Sequence, residues 1–112
     1  MDNITESFYL ELRDNCMFDE DKFNTVTKCV LDLHQRPIST DERSSIAIKL
    51  WEFSFLTISL LNCHVDDNDV YKIKNLKEGD SSQINKILYY LSNWFSYNKP
   101  IDGQLLKFGN WT

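Results

Sequence analysis

The sequence predicts an all-α fold, a compact single-domain bundle of four to five helices with a buried central helix. Three observations lead there. Chain breakers are scarce, with three Gly and two Pro in 112 residues, so long uninterrupted elements are expected. Apolar residues recur at three- and four-residue spacing, the period of a helix. Capping residues stand at the starts of these segments and Pro or Gly near their ends. A chain of this length forms one domain and buries roughly two thirds of its unfolded surface. Seven Phe, five Tyr and three Trp supply the core and argue against disorder.

Five segments carry the pattern. In the first, residues 4–15, Asn3 and Glu6 form a capping-box-like start, and Ile4, Phe8 and Leu12 make one stripe. In the second, residues 20–35, Asp19, Glu20 and Asp21 crowd a first turn where the helix dipole favours anions. Phe23, Val26, Val30 and Leu33 are its buried stripe, and Pro37 follows its end. The third, residues 40–63, opens on a Ser39/Glu42 capping box. From Ile46 to Leu61 it is apolar on nearly every side, which marks a buried helix. The alternation of Trp51, Phe53 and Phe55 with polar residues offers an α+β alternative, with residues 50–60 as a strand, but the cap and the length favour the helix. The fourth segment, residues 67–77, has Asp66 or Asp67 as cap, Val70, Ile73 and Leu76 as stripe, and Gly79 past its end. The fifth, residues 81–97, has Asp80 or Ser81 as cap, and Ile84, Ile87, Leu88, Leu91 and Phe95 as its core face. The tail beyond residue 100 is expected to fold back as a loop or short strand, with Trp111 either packed or exposed.

The charge distribution points to a partner. The first 22 residues hold seven carboxylates (Asp2, Glu6, Glu11, Asp14, Asp19, Glu20 and Asp21) against Arg13 and Lys22. This excess matches the net charge of −5 for the whole chain. A second run is Asp66, Asp67 and Asp69. Such a surface suits docking to a basic protein, because complementary charge speeds encounter. The candidate contact residues are therefore Asp14, Asp19, Glu20, Asp21, Asp66, Asp67 and Asp69. Tyr90, Trp94 and Tyr97, at spacings of four and three, are candidate aromatic anchors; packing against the tail or the second segment is the competing reading of that stripe.

Other chemistries find less support. A calcium loop starting at Asp67 has Tyr71 and Lys72 where an oxygen ligand and a Gly are needed. His34 and His64 lack further ligands at metal spacing, so no metal or other cofactor is expected. Cys29 and Cys63 belong to apolar segments, and Cys16 lies among acids that disfavour a thiolate. Paired carboxylates for hydrolysis have no supporting motif, and no catalytic residue is assigned. Phosphate binding needs clustered cations, whereas Lys72, Lys74 and Lys77 are diluted by neighbouring acids, so direct nucleic-acid binding is not expected. Residues 46–61 contain Lys49 and Glu52 and are too short and polar to span a bilayer. Three unpaired-looking Cys and an N-terminus without a signal pattern predict a cytoplasmic protein.

In size, acidity, aromatic content and lack of a catalytic signature, the chain resembles the immunity proteins that bacteria make against their own nuclease toxins, in contact-dependent growth inhibition and colicin systems. The resemblance is one of whole-chain character, and no residue role transfers by position. It implies a non-enzymatic inhibitor whose carboxylates occupy the basic nucleic-acid cleft of a cognate toxin. Phage-encoded inhibitors such as anti-CRISPR proteins share this profile. Two rival classes remain: a small adaptor domain that binds a protein partner in an apolar groove, and a small enzyme, which a deep pocket with two convergent ionisable groups would favour.

Overall fold

Helix formation follows four of the five apolar stripes. The computed structural model describes residues 3–106 and 108. It contains α1 (Asn3–Asn15), α2 (Glu20–His34), α3 (Thr40–Val65) and α4 (Asp80–Ser96), followed by a 3-10 turn at Gly103–Leu106. Among the described residues there is no strand, and residues 50–60 are helical throughout.

The local chemistry at each boundary is visible. Cys16 follows α1 with a left-handed backbone, φ 56°, a conformation unusual for a side-chain-bearing residue. Asp19 is the N-cap of α2 and accepts from the Lys22 amide at 3.0 Å. At α3 both halves of the Ser39/Glu42 capping box are formed. Gly79 starts α4 in the left-handed region at φ 89° and makes no side-chain cap bond. The expected caps do not act there: Asp80 instead accepts from the Lys77 amide at 2.8 Å.

The helices alternate in direction along an axis 44 Å long, with a cross-section of 24 × 21 Å. α3 alone, at ~1.5 Å per residue, covers most of that length. It packs on α1 and α4, while α2 packs on α1 and α4 from the other side, so α2 and α3 are diagonal. Ser54 and Ser92 share a buried hydrogen bond at 2.7 Å, and Trp51 Nε1 donates to Ser96 Oγ at 2.7 Å. These pairs fix the antiparallel register of α3 against α4.

One cluster of buried residues draws on all four helices and the tail. Phe8, Phe18, Phe23 and Phe108 form its aromatic part, with Phe18 5.2 Å from Phe8, 5.1 Å from Phe23 and 5.3 Å from Phe108. Each such burial stabilises by ~1.5–3 kcal/mol. Ile84, Ile87, Leu88, Leu91 and Phe95 of α4 are all at most 1 % exposed, as the stripe predicts. The tail does fold back, as a 3-10 turn that buries Leu106, and Asn24 Nδ2 donates to the Phe108 carbonyl at 3.0 Å. Trp111 and Asp2 lie outside the described residues.

Two expectations need correction. Residues 67–77 are not a helix but part of an irregular connection. Asp66 accepts from the Asn68 amide at 2.9 Å and Asp69 from the Tyr71 amide at 2.8 Å. These side chains take backbone donors that a helix would use, and Val70, placed on the expected stripe, is 98 % exposed. Nor is α3 a buried central helix. Leu50, Phe53 and Leu61 are buried, but Ile48 and Phe55 face solvent, because helices cover only two of its sides.

Candidate functional site

The alternating topology brings the separated acidic runs to one end of the bundle. There α1 ends, α2 starts, α3 ends and α4 starts. The 66–79 connection lies across this end and is pinned at four points. Lys74 N donates to the Cys16 carbonyl at 2.8 Å. Asn75 bonds both the amide and the carbonyl of Phe18, at 2.9 and 2.7 Å. The Tyr71 hydroxyl donates to the Leu12 carbonyl, and burial pushes its pKa up to about 12, so it stays a neutral donor. His64 Nδ1 accepts from the Ile73 amide at 2.8 Å.

This end carries ten carboxylates: Glu11, Asp14, Asp19, Glu20, Asp21, Asp66, Asp67, Asp69, Glu78 and Asp80. Against them stand five cations among the described residues, Arg13, Lys22, Lys72, Lys74 and Lys77. Among the described residues this end therefore holds five more carboxylates than cations, an excess equal in size to the chain's net charge of −5. Glu11, Asp19, Glu20 and Asp21 rim one shallow depression floored by Phe18 and Asn75. Glu20 and Asp80 border the adjoining one.

The predicted contact residues divide by what else they do. Asp14 pairs with Arg13 at 2.8 Å, and that hydrogen bond lowers its pKa. Asp19 is occupied as N-cap, with Lys22 Nζ at 3.8 Å. Asp66 and Asp69 shape the connection. Asp69 is half-buried, and its pKa is lowered first by the Tyr71 amide. The Cys63 thiol beside it is pushed up, by burial first and then by the Asp69 hydrogen bond, which suits a structural thiol. Lys72 Nζ is committed to the His64 and Asp66 carbonyls at the end of α3, at 3.1 and 2.7 Å. Asp21 and Asp67 are exposed, and Glu20 is half-exposed. These three face outward, with Glu11, which sequence reasoning did not single out as a contact residue. Its signal was its place near the end of α1, one turn before Asn15.

The aromatic candidates are not brought to this end. Tyr90 and Trp94 stack at 5.0 Å with an interplanar angle of 10°. Both are half-buried against the core, on the helix that also receives the tail's 3-10 turn. Tyr97 is 70 % exposed at the far end of α4, with Lys99 Nζ 5.6 Å from its ring centre. Among the described residues no group of three His, Cys, Asp or Glu side chains is placed to hold a metal ion.

No family model, curated protein or solved structure matches the chain.

Proposed function

We propose that the chain is an immunity-type inhibitor, a non-enzymatic cytoplasmic protein that neutralises a basic nuclease toxin by docking its acidic end in the toxin's nucleic-acid cleft. The observation that carries this reading is the gathering of ten carboxylates against five cations, among the described residues, at one end of an elongated bundle. Carboxylates at the mouth of a cationic cleft take the place of phosphates and are drawn there by the same field. Glu11, Glu20, Asp21 and Asp67 make the first electrostatic encounter. Asp19, Asp66 and Asp69 add field while holding their turns, and Asp14 adds its charge beside Arg13. The reading involves no catalytic step, cofactor or metal, and no direct contact with nucleic acid or membrane. A phage-type inhibitor would use the same face against a different basic nuclease.

The test begins with the product of the gene immediately upstream of this one. The reading expects a large secreted protein with a basic C-terminal domain. Association of that domain with this chain is then followed by stopped flow. The rate constant should fall by about tenfold or more between ~10 and ~150 mM salt. The triple variant Glu20→Gln, Asp21→Asn, Asp67→Asn should slow association by about tenfold at low salt. Nuclease activity that this chain fails to block, or rates that ignore both salt and the triple substitution, would refute the reading.

A further inference from the structure

The acidic-end reading makes no use of the opposite pole. There one imidazole ties separate segments together. His34, the last residue of α2, is half-buried. Its Nδ1 lies 3.0 Å from Arg43 Nη1 of α3, and its Nε2 lies 2.6 Å from the Lys99 carbonyl beyond α4. Arg43 Nη1 also donates to the Phe95 carbonyl at 3.3 Å. A guanidinium only donates hydrogen bonds and a carbonyl only accepts them. The ring in this arrangement is therefore neutral, with its proton on Nε2. A second proton would aim an Nδ1–H at an N–H of Arg43, donor against donor.

The surroundings of the ring select what could relieve that clash. A depression of about 420 Å³ opens beside it, lined by His34, Arg36 and Arg43 with Thr40 and Asn98, and by no carboxylate. Arg36 pairs with Asp32, but both side chains are more than half exposed, and such surface pairs hold weakly. Asp41 and Glu42, in the first turn of α3, lie outside the lining, and Glu42 accepts from the Ser39 amide. The Lys99 ammonium sits 5.6 Å from the Tyr97 ring centre. Arg43 spends only Nη1 on acceptors among the described residues, which leaves Nε and Nη2 as donors. Burial first, then Arg43, hold the His34 pKa below its ordinary 6.5 against the Lys99 carbonyl, as a ring with no anion beside it requires.

We propose that this depression is a proton-linked binding site for a tetrahedral oxyanion of the sulfate or phosphate class. An oxygen of the anion placed between the protonated Nδ1 and Arg43 accepts a hydrogen bond from each and removes the conflict of donors. The unspent Arg43 donors and Arg36 supply further charge-assisted bonds, the kind that forked guanidiniums make best. Anion and proton then strengthen each other's binding by the same factor. At neutral pH the ring loses its second proton, Nδ1 returns to Arg43, and the anion loses one of its donors. None of the carboxylates at the acidic end takes part, so the proposal stands or falls apart from the inhibitor reading.

The test titrates both imidazoles of the full chain by NMR, in sodium chloride and in sodium sulfate of equal ionic strength. The chain has two histidines, and His64, whose Nδ1 takes the Ile73 amide at the acidic end, is the control. Sulfate at ~20 mM should raise the proton affinity of His34 by about threefold or more and leave His64 unchanged. By the same linkage, sulfate should bind about threefold or more tightly at about pH 5.5 than at about pH 7.5. Arg36→Gln, at an exposed side chain, should weaken binding at the lower pH by about threefold, and His34→Gln should abolish the pH dependence. If His34→Gln misfolds, Arg36→Gln carries the test. Methyl phosphate set against inorganic phosphate identifies the source, since the tighter of the two marks an esterified group or the free ion. Equal His34 titrations in the two salts would overturn the proposal. So would sulfate binding that ignores pH, or a rise shared by His64, which is the mark of general screening.

Discussion

The two ends of the bundle are built from the same kinds of helix terminus but use charge in opposite ways. At the acidic end, carboxylates outnumber cations two to one and several point outward. At the other end, where α2 stops, α3 starts and α4 stops, Arg43 is folded into the structure. Arg43 lies 4.7 Å from the Phe95 ring centre and donates to His34 Nδ1 at 3.0 Å and to the Phe95 carbonyl at 3.3 Å. His34 Nε2 then donates to the Lys99 carbonyl at 2.6 Å, which fixes its tautomer. Arg36 pairs with Asp32 one turn earlier on α2. The difference comes from the connections. Residues 35–39 make a short link, whereas residues 66–79 bring Asp66, Asp67, Asp69 and Glu78 to the opposite pole. Helix dipoles do not create the asymmetry, because Asp41 and Glu42 also sit in a first turn at the Arg43 end.

Substitutions can break this contrast by degrees. The largest effect is expected from Phe18→Ala, which removes the ring beneath the acidic end and opens a cavity among Phe8, Phe23 and Phe108. Denaturant unfolding should show a loss of about 3–5 kcal/mol. Asn75→Ala leaves the Phe18 amide and carbonyl without their side-chain partner. The expected cost is about 1–3 kcal/mol, with faster hydrogen exchange in residues 66–79 than at the Arg43 end. Equal loosening at both ends would mean that Asn75 does not anchor the connection in particular.

Acid should act on the opposite end. Burial, with Arg43 adding to it, lowers the His34 pKa from its ordinary 6.5, against a raising effect of the Lys99 carbonyl. The folded chain therefore binds this proton more weakly than the unfolded chain does. Its contribution is complete above pH 6.5 and is lost as pH falls through that value toward the lower folded-state pKa. Thermal melts between pH 8 and pH 5 should show this loss, and His34→Gln should reduce the slope. A variant with the same pH dependence as the parent would assign the effect to other groups. The smallest effect is reserved for Asp21→Asn, which removes an exposed acid from the first turn of α2. The cost is about 0.3–1 kcal/mol at low salt, well below that of Asn75→Ala, so its consequence for association can be read without loss of the fold.

The parts legible in the sequence are those governed by neighbours along the chain. The Ser39/Glu42 box, the stripes Phe23–Val26–Val30 and Ile84–Ile87–Leu88–Leu91–Phe95, and the stop before Pro37 all read correctly, because capping and helical periodicity act within a few residues. Residues 67–77 misled for a local reason too. Val70, Ile73 and Leu76 keep helical spacing, but Asp66 and Asp69 capture nearby amides, and only Ile73 becomes fully buried. The apolar girth of α3 announced burial without saying how many helices were available to cover it. In the same way, the spacing of Tyr90 and Trp94 fitted an anchor or a core, and only the tertiary structure showed that both rings lean on the core while staying part-exposed.

By itself the sequence determined an all-helical chain, the side-chain caps that open α2 and α3, and an excess of carboxylates in two separate runs. Tertiary structure alone decided that both runs meet at one pole, that Asp19 and Asp69 hold turns while Asp21 and Asp67 face outward, and that α3 keeps one apolar side open. The physical reason is range. Caps and stripes are set within one or two turns of backbone, whereas burial and the summed field of many charges depend on which distant segments the fold makes neighbours.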